Sequence, residues 1–195
     1  MRQNWPERLW LVRHGQSQGN VARDAADAAG HHEIAIEVRD VDVPLSELGL
    51  RQADAAGHWF ASLPANERPE VILASPYLRA RQTAELICNG GALTGGPART
   101  IIDERLRERE FGIFDRLTTA GIRARFPDEA AHRTRLGKFY HRPPGGESWA
   151  MFDDRVAGVT AKKRDDGKYD VTLSLHAGKT YVDGVGKETK ATFDV

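Results

Sequence analysis

Apolar positions along this chain fall into two rhythms. Leu9 to Val12 form an unbroken apolar run, the pattern of a short strand covered on both faces. Val71 to Ala74 repeat it, and Thr100 to Ile102 and Val171 to Leu175 predict two more strands. Between these runs the period lengthens. The stretch from Val21 to Val43 is alanine-rich and acidic, and "VARDAADAA" predicts a helix that Gly30 ends. Pro44-Leu45-Ser46 opens a helix reaching about Leu63. Ser46 is its N-cap, and Leu50, Ala53, Gly57 and Phe60 fall near one face. After the strand at 71–74, Ser75 reads as an N-cap and Pro76 as the first helical residue. That helix runs to about Cys88, where Asn89-Gly90 supplies a stop signal. Residues 113–139 predict helix with interruptions. "HRPPGGES" is a Pro/Gly loop, and a last helix starts near Ser148. Strands alternating with helices predict an α/β fold: a three-layer α/β/α sandwich around a mostly parallel sheet.

The rhythm changes near Ala157. "KYDVTLSLHAGKTYVDGVGKETKATFDV" alternates and carries many Lys, Asp, Gly and Thr. It predicts hairpins, with Asp183-Gly184 as a turn, rather than a strand followed by a covering helix. Residues 1–156 therefore read as one α/β domain. Residues 157–195 read as a divergent, β-rich segment, either a shortened end or a replaced one.

Composition narrows the class without naming a chemistry. The 195 residues suffice for one domain with a core. Lys plus Arg and Asp plus Glu are each 28, so no net field favours nucleic acid or an anionic membrane. Anion affinity must come from a local cluster. The lone cysteine, Cys88, excludes an intrachain disulfide and fits a reducing compartment. "MRQNWPERLWLV" has no apolar signal region, and no apolar stretch approaches the roughly 18 residues of a membrane span. The expectation is a cytoplasmic domain.

Chemistry concentrates where strands end. Open α/β sheets bind ligands outside the carboxyl ends of their strands. Leu9–Val12 leads into Arg13, His14 and Gly15. Val71–Ala74 leads into Ser75 and, one helical turn on, Arg79. Val171–Leu175 leads into His176. If these strands are parallel neighbours, two arginines and two histidines share a pocket. A guanidinium fork matches phosphate or carboxylate. A neutral imidazole can attack phosphorus, and nearby guanidinium charge keeps it neutral. The same charge stabilises the transferring phosphoryl oxygens. Gly15 lets the backbone approach an anion closely. Other candidates read as structure. His31-His32 lacks a third ligand at metal spacing and reads as a solvated loop. Cys88 ends an amphipathic helix, with no activating base near in sequence. "GGALTGG" lacks the lysine of a phosphate-binding loop.

"LVRHGQSQGN", "PLSELGLRQA", "ASPYLRARQTA", "RLREREFG" and "GGES", in this order and spacing over roughly residues 8–156, resemble the histidine phosphatase superfamily, also called phosphoglycerate mutase-like. The resemblance implies that His14 becomes phosphorylated, that Arg13 and Arg79 hold the phosphoryl oxygens, and that Ser17 and Asn20 line the entry beside Gly15. It places Glu108 at the general acid/base position, with Glu110 as a nearby second candidate, and His176 as the second pocket histidine. The loop carrying Glu147 borders the substrate pocket. The tail departs from the resemblance: "HAGKT" inserts a residue in the histidine-glycine pair, and no apolar helix follows. The activity implied is phosphomonoester hydrolysis on a small molecule or a phosphoprotein, with no cofactor and no metal, since the arginines do the charge work. Phosphatase is favoured over mutase, because the additional basic pocket residues and longer insertion of the mutases are not found. Two alternatives stay open: phosphoglycerate mutase-type phosphotransfer, and a non-catalytic phosphoryl-binding protein with an incomplete site. The oligomeric state is not legible.

Overall fold

The computed structural model describes residues 8–90, 99–156, 159–163 and 169–173. Six α-helices and four strands lie among them. Helix α1 (Gln18–Ala28) starts three residues before the expected Val21, because Ser17 and Asn20 close a reciprocal cap at its N-terminus. Helix α2 (Glu47–Ser62) begins behind Ser46, whose hydroxyl accepts from the Gly49 amide as expected. Its buried face carries Gly49, Ala53, Gly57 and Phe60. Leu50, expected there, is exposed, one position out of phase with that stripe.

Strand β1 (Val71–Ala74) pairs in parallel with β2 (Arg99–Ile102), Val71 opposite Arg99 and Ala74 opposite Ile102. Helix α3 (Leu78–Asn89) connects them, the crossover that a parallel pair requires. The helix starts later than Ser75-Pro76 suggests. Tyr77 is its N-cap, and the Ser75 hydroxyl accepts from the Tyr77 amide at 3.4 Å within the preceding turn. The shift puts Arg79 in the first helical turn, beyond the carboxyl end of β1. Phe60 of α2 and Ile87 of α3 centre an apolar cluster closed by Trp10, Ala56, Leu63 and Ile72. The two helices meet almost backbone to backbone. A Cβ on Gly57 would lie 2.8 Å from the Leu86 carbonyl oxygen.

Helices α4 (Thr119–Arg125), α5 (Pro127–Leu136) and α6 (Trp149–Val156) fill the helical regions expected at 113–139 and after Ser148. The Ser148 hydroxyl accepts from the Met151 amide and caps α6.

Two expectations are corrected. Leu9–Val12 is not a strand, and Leu9, Leu11 and Val12 are 47 %, 60 % and 49 % exposed. A doubly covered strand needs neighbours at both edges. Among the described residues β1 pairs with β2 alone, so no described strand sheathes this run. Trp10 anchors it instead: its indole packs edge-on against Trp59 and Phe60 and donates to the Glu67 carbonyl at 3.3 Å. The second correction concerns the tail. Strand β4 (Tyr169–Leu173) covers part of the expected Val171–Leu175 run. It pairs antiparallel with β3 (Val159–Lys163), Ala161 opposite Val171, rather than parallel with β1. The hairpin expectation for the tail holds at this point. His176, the Asp183-Gly184 turn and "GGALTGG" lie outside the described residues. No helix among the described residues is long and apolar enough to cross a membrane.

Candidate active site

His14 is half-buried at the end of the Trp10-anchored segment. Its Nδ1 lies 2.6 Å from the Gly15 carbonyl oxygen. A carbonyl only accepts, so Nδ1 carries the hydrogen and Nε2 keeps its lone pair. Burial, the largest cause, pushes the imidazole below its ordinary pKa of 6.5; the Gly15 hydrogen bond opposes it, the Arg79 and Arg13 charges add to the lowering, and the Glu108 charge is the least of the causes. The fold thus delivers a neutral imidazole of fixed tautomer within electrostatic reach of Arg79, Arg13 and Glu108. The structure brings these four expected residues together. Arg13 is the exposed member.

Arg79 is 6 % exposed and makes several contacts at once. Its guanidinium lies 4.8 Å from the centre of the Tyr77 ring. Nη1 donates to the Asp40 carbonyl at 2.7 Å and to Asp40 Oδ1 at 2.9 Å, and Nη2 reaches Asp40 Oδ2 at 3.3 Å. Glu108 Oε2 stands 3.6 Å from Nη2. Asp40 therefore presents two carboxylate oxygens to the fork that a phosphoryl group would use. Sequence reasoning missed it. A single aspartate in a short 3-10 turn, Asp40–Asp42, has no spacing signal, and only folding sets it opposite Arg79. Burial, helped by the charges of Glu110 and Asp40, pushes the Tyr77 hydroxyl up to about 12, so it remains a donor near neutral pH.

Glu108 sits on a loop held from behind. Arg155, from α6, donates through Nη1 to the carbonyls of Arg105 at 2.7 Å and Arg107 at 3.1 Å, and Nη2 reaches the Glu108 carbonyl at 3.5 Å. Glu147 Oε2 accepts from Arg155 Nη2 at 2.9 Å, and Oε1 from Arg107 Nη2 at 2.6 Å. The Glu110 amide donates to Oε2, and Arg109 Nη1 donates to the Glu147 carbonyl. Burial alone would raise the Glu147 pKa, but the Arg155 hydrogen bonds, the Glu110 amide and the Arg107 charge lower it on balance. Glu147 is thus a half-buried anionic hub that positions the Glu108 loop. Arg155, in "DDRV", carried no motif signal and was also missed.

Three expected liners have structural duties here. Ser17 and Asn20 spend their side chains on each other's amides, Asn20 N to Ser17 Oγ at 3.1 Å and Ser17 N to Asn20 Oδ1 at 2.9 Å. They shape the entry by building the first turn of α1. Gly15 is bare because Gly49 of α2 fills the space where its Cβ would stand, and its amide donates to Thr83 Oγ1 at 3.3 Å. Close packing against α2 thus requires a glycine at this position. Beside Asp40 and Tyr77 opens a groove of about 290 Å³, walled further by Arg39, Arg109, Glu110 and Arg116.

His14 thus feels the charges of Arg13, Arg79 and Glu108, and Arg79 pairs with Asp40 and Glu108; comparison with known proteins places the chain in a class. It belongs to the histidine phosphatase superfamily (branch 1), whose family model matches residues 9–180. It is 33 % identical over 158 residues to phosphoglycerate mutase-like protein AT74 of Arabidopsis thaliana, covering 78 % of this chain and 45 % of that one. It is 34 % identical over 151 residues to a 2,3-bisphosphoglycerate-dependent phosphoglycerate mutase of Azorhizobium caulinodans, covering 77 % and 64 %. Among solved structures it matches a mycobacterial glucosyl-3-phosphoglycerate phosphatase, with TM-score 0.53, 32 % identity, and 74 % and 57 % of the two chains covered. It shares the fold of an α-ribazole phosphatase from Shigella flexneri, with TM-score 0.53, 23 % identity, and 74 % and 61 % covered. The chain spans about half to two-thirds of the length of these relatives.

Proposed function

We propose that the protein is a phosphomonoester hydrolase working through a phosphohistidine on His14. The observation that supports this most is the His14 Nδ1 to Gly15 carbonyl bond, which leaves Nε2 free beside Arg79 and Glu108. In this reading Arg13 and Arg79 hold the phosphoryl oxygens. Nε2 attacks phosphorus while the phosphorus–oxygen ester bond breaks. Glu108, as its carboxylic acid, gives its proton to the leaving alkoxide, a contribution of about 10²–10⁴-fold for such groups. Water then attacks phosphorus, the nitrogen–phosphorus bond breaks, and the Glu108 carboxylate takes the water's proton. Inorganic phosphate and neutral His14 result. His176 is the second pocket histidine of this proposal and lies within the span that matches the family.

Asp40 must yield Arg79 when substrate arrives, and the phosphoryl oxygens replace its carboxylate on the fork. The substrate is a small phosphomonoester or a phosphoprotein, and the groove beside Tyr77 offers room for its leaving group. The reaction requires no cofactor and no metal, and the proposed site is cytoplasmic. Similarity to phosphoglycerate mutases favours a second reading, transfer between positions of a phosphoglycerate.

The parent protein should release p-nitrophenol from p-nitrophenyl phosphate without added metal, and His14→Ala should not. Trapping should yield an acid-labile, alkali-stable phosphoprotein in the parent alone. Equal labelling of His14→Ala overturns the nucleophile. Interconversion of 3- and 2-phosphoglycerate faster than phosphate release selects the mutase reading. Phosphate bound by a folded parent that turns over neither substrate selects the non-catalytic one.

A further inference from the structure

A second cluster lies on α5 and the loop after it, on elements that do not carry the phosphoryl site. Glu129 and His132 stand three residues apart on α5 and so share a face. The helix ends at Gly137, whose φ of +78° is open to glycine and strained for other residues. The chain turns back there, the His141 amide donates to the Gly137 carbonyl at 3.2 Å, and His141 comes to rest against the first turn of α5. His141 Nε2 lies 3.1 Å from Glu129 Oε2. The His132 ring stands edge-on to it, centres 5.5 Å apart. One ligand atom from each of the three falls within 4.8 Å of the other two.

We propose that Glu129, His132 and His141 bind one zinc ion. Two imidazoles and a carboxylate are a known three-ligand zinc set, with a water in the fourth position. Bonds of about 2.0–2.1 Å in a tetrahedron put neighbouring ligand atoms about 3.3 Å apart. The Glu129–His141 pair already stands near that separation, and a rotation of the exposed His132 side chain closes the other two edges. His141 is 3 % exposed and its ring stacks on Phe114, planes 6° apart, so one ligand is oriented before any ion arrives. The carboxylate offsets half the ion's charge, and the exposed His132 side admits the fourth ligand. The ion would clip α5 to the segment that runs on into the Pro143–Glu147 loop and the Glu147 hub. Its role is to brace the wall behind Glu108, separate from phosphoryl transfer.

The test is calorimetric titration of the chelator-treated full chain with zinc chloride, with cobalt(II) absorption as a second readout. The parent should saturate at one equivalent, show the visible bands of four-coordinate cobalt, and melt higher as zinc is added. His132 is exposed, so His132→Ala should fold. It should weaken zinc by more than the roughly 10–100-fold that follows loss of an outer-shell partner, and abolish the cobalt bands. Glu129→Gln should do the same, while His31→Ala/His32→Ala should bind as the parent does. No saturable binding by the parent, equal binding by His132→Ala, or loss of binding in the His31/His32 variant each overturns the site.

Discussion

The two arms that meet at Arg79 are built differently. The Glu108 arm is cross-braced: Arg155 gathers three carbonyls of its loop, and Glu147 ties Arg107, Arg155 and the Glu110 amide together. The His14 arm hangs from one aromatic anchor, Trp10, and its flanking apolar residues are bare. Long charged side chains reach across the fold, as Arg107 does to Glu147 and Arg155 to the Glu108 loop, and can complete an arm without a sheet. A strand cannot, because its hydrogen-bonding edges must be met by other strands. Glu108, the proposed general acid, is therefore held by a network of charged groups. His14, the proposed nucleophile, is held by its ring's bond to the Gly15 carbonyl, by the Gly15–Gly49 contact and by the Gly15 amide's bond to Thr83.

The largest effect should come from cutting the brace. Arg155→Ala leaves Glu147 with less compensation in a nearly buried place and should cost about 3 kcal/mol in urea unfolding, the scale for a broken buried pair. It should also lower kcat for p-nitrophenyl phosphate by up to about 100-fold, as misplacing a catalytic group by an ångström does. Arg155→Lys should rescue little, because one ammonium cannot reach three carbonyls and two carboxylate oxygens. Full activity in Arg155→Ala would mean that the brace does not position Glu108.

A smaller effect should follow at the fork. Asp40→Asn removes the charge that competes for Arg79, so inorganic phosphate should inhibit about fivefold more tightly, the equivalent of a pair worth ~1 kcal/mol. Weaker phosphate inhibition would instead assign Asp40 to holding Arg79 in place.

The His14 arm yields a pH test. Burial and the arginines disfavour the imidazolium, so the folded protein binds this proton less tightly than the unfolded chain. His14 then adds nothing to pH dependence well above 6.5. As pH falls from 6.5 toward the lower folded midpoint, the unfolded chain takes up this proton while the folded one does not, so stability is lost across that window and levels off below it. An NMR titration of the ring should show a midpoint below 6.5, and Arg79→Gln should raise it only in part, because burial is the larger cause. A midpoint above 6.5 breaks the electrostatic argument.

The smallest effect should be Leu11→Ser, within about 0.5 kcal/mol as for other exposed positions. A cost above 2 kcal/mol would show that the segment is covered in solution and that the two arms are equally braced.

Much was legible in advance where the signal was local. Ser46 capping α2, the Val71–Ala74 strand, the α/β class and the His14–Arg79 pair follow from short motifs and strand ends, and Glu108 joins them through the resemblance to the histidine phosphatase superfamily. Capping, helical period and strand ends are decided within a few residues, so one stretch of chain carries them. The Leu9–Val12 strand was misread because an apolar run states only what it would bury, and pairing depends on a neighbour elsewhere. The cap that Ser17 and Asn20 build for α1 is not legible from their place in the motif, since one polar side chain suits a pocket or a cap until geometry shows its partners. Asp40, the Glu147–Arg155 hub and the Glu129–His132–His141 cluster belong to the tertiary structure alone. Each joins charges up to tens of residues apart, and Coulomb energy follows distance in space rather than distance along the chain.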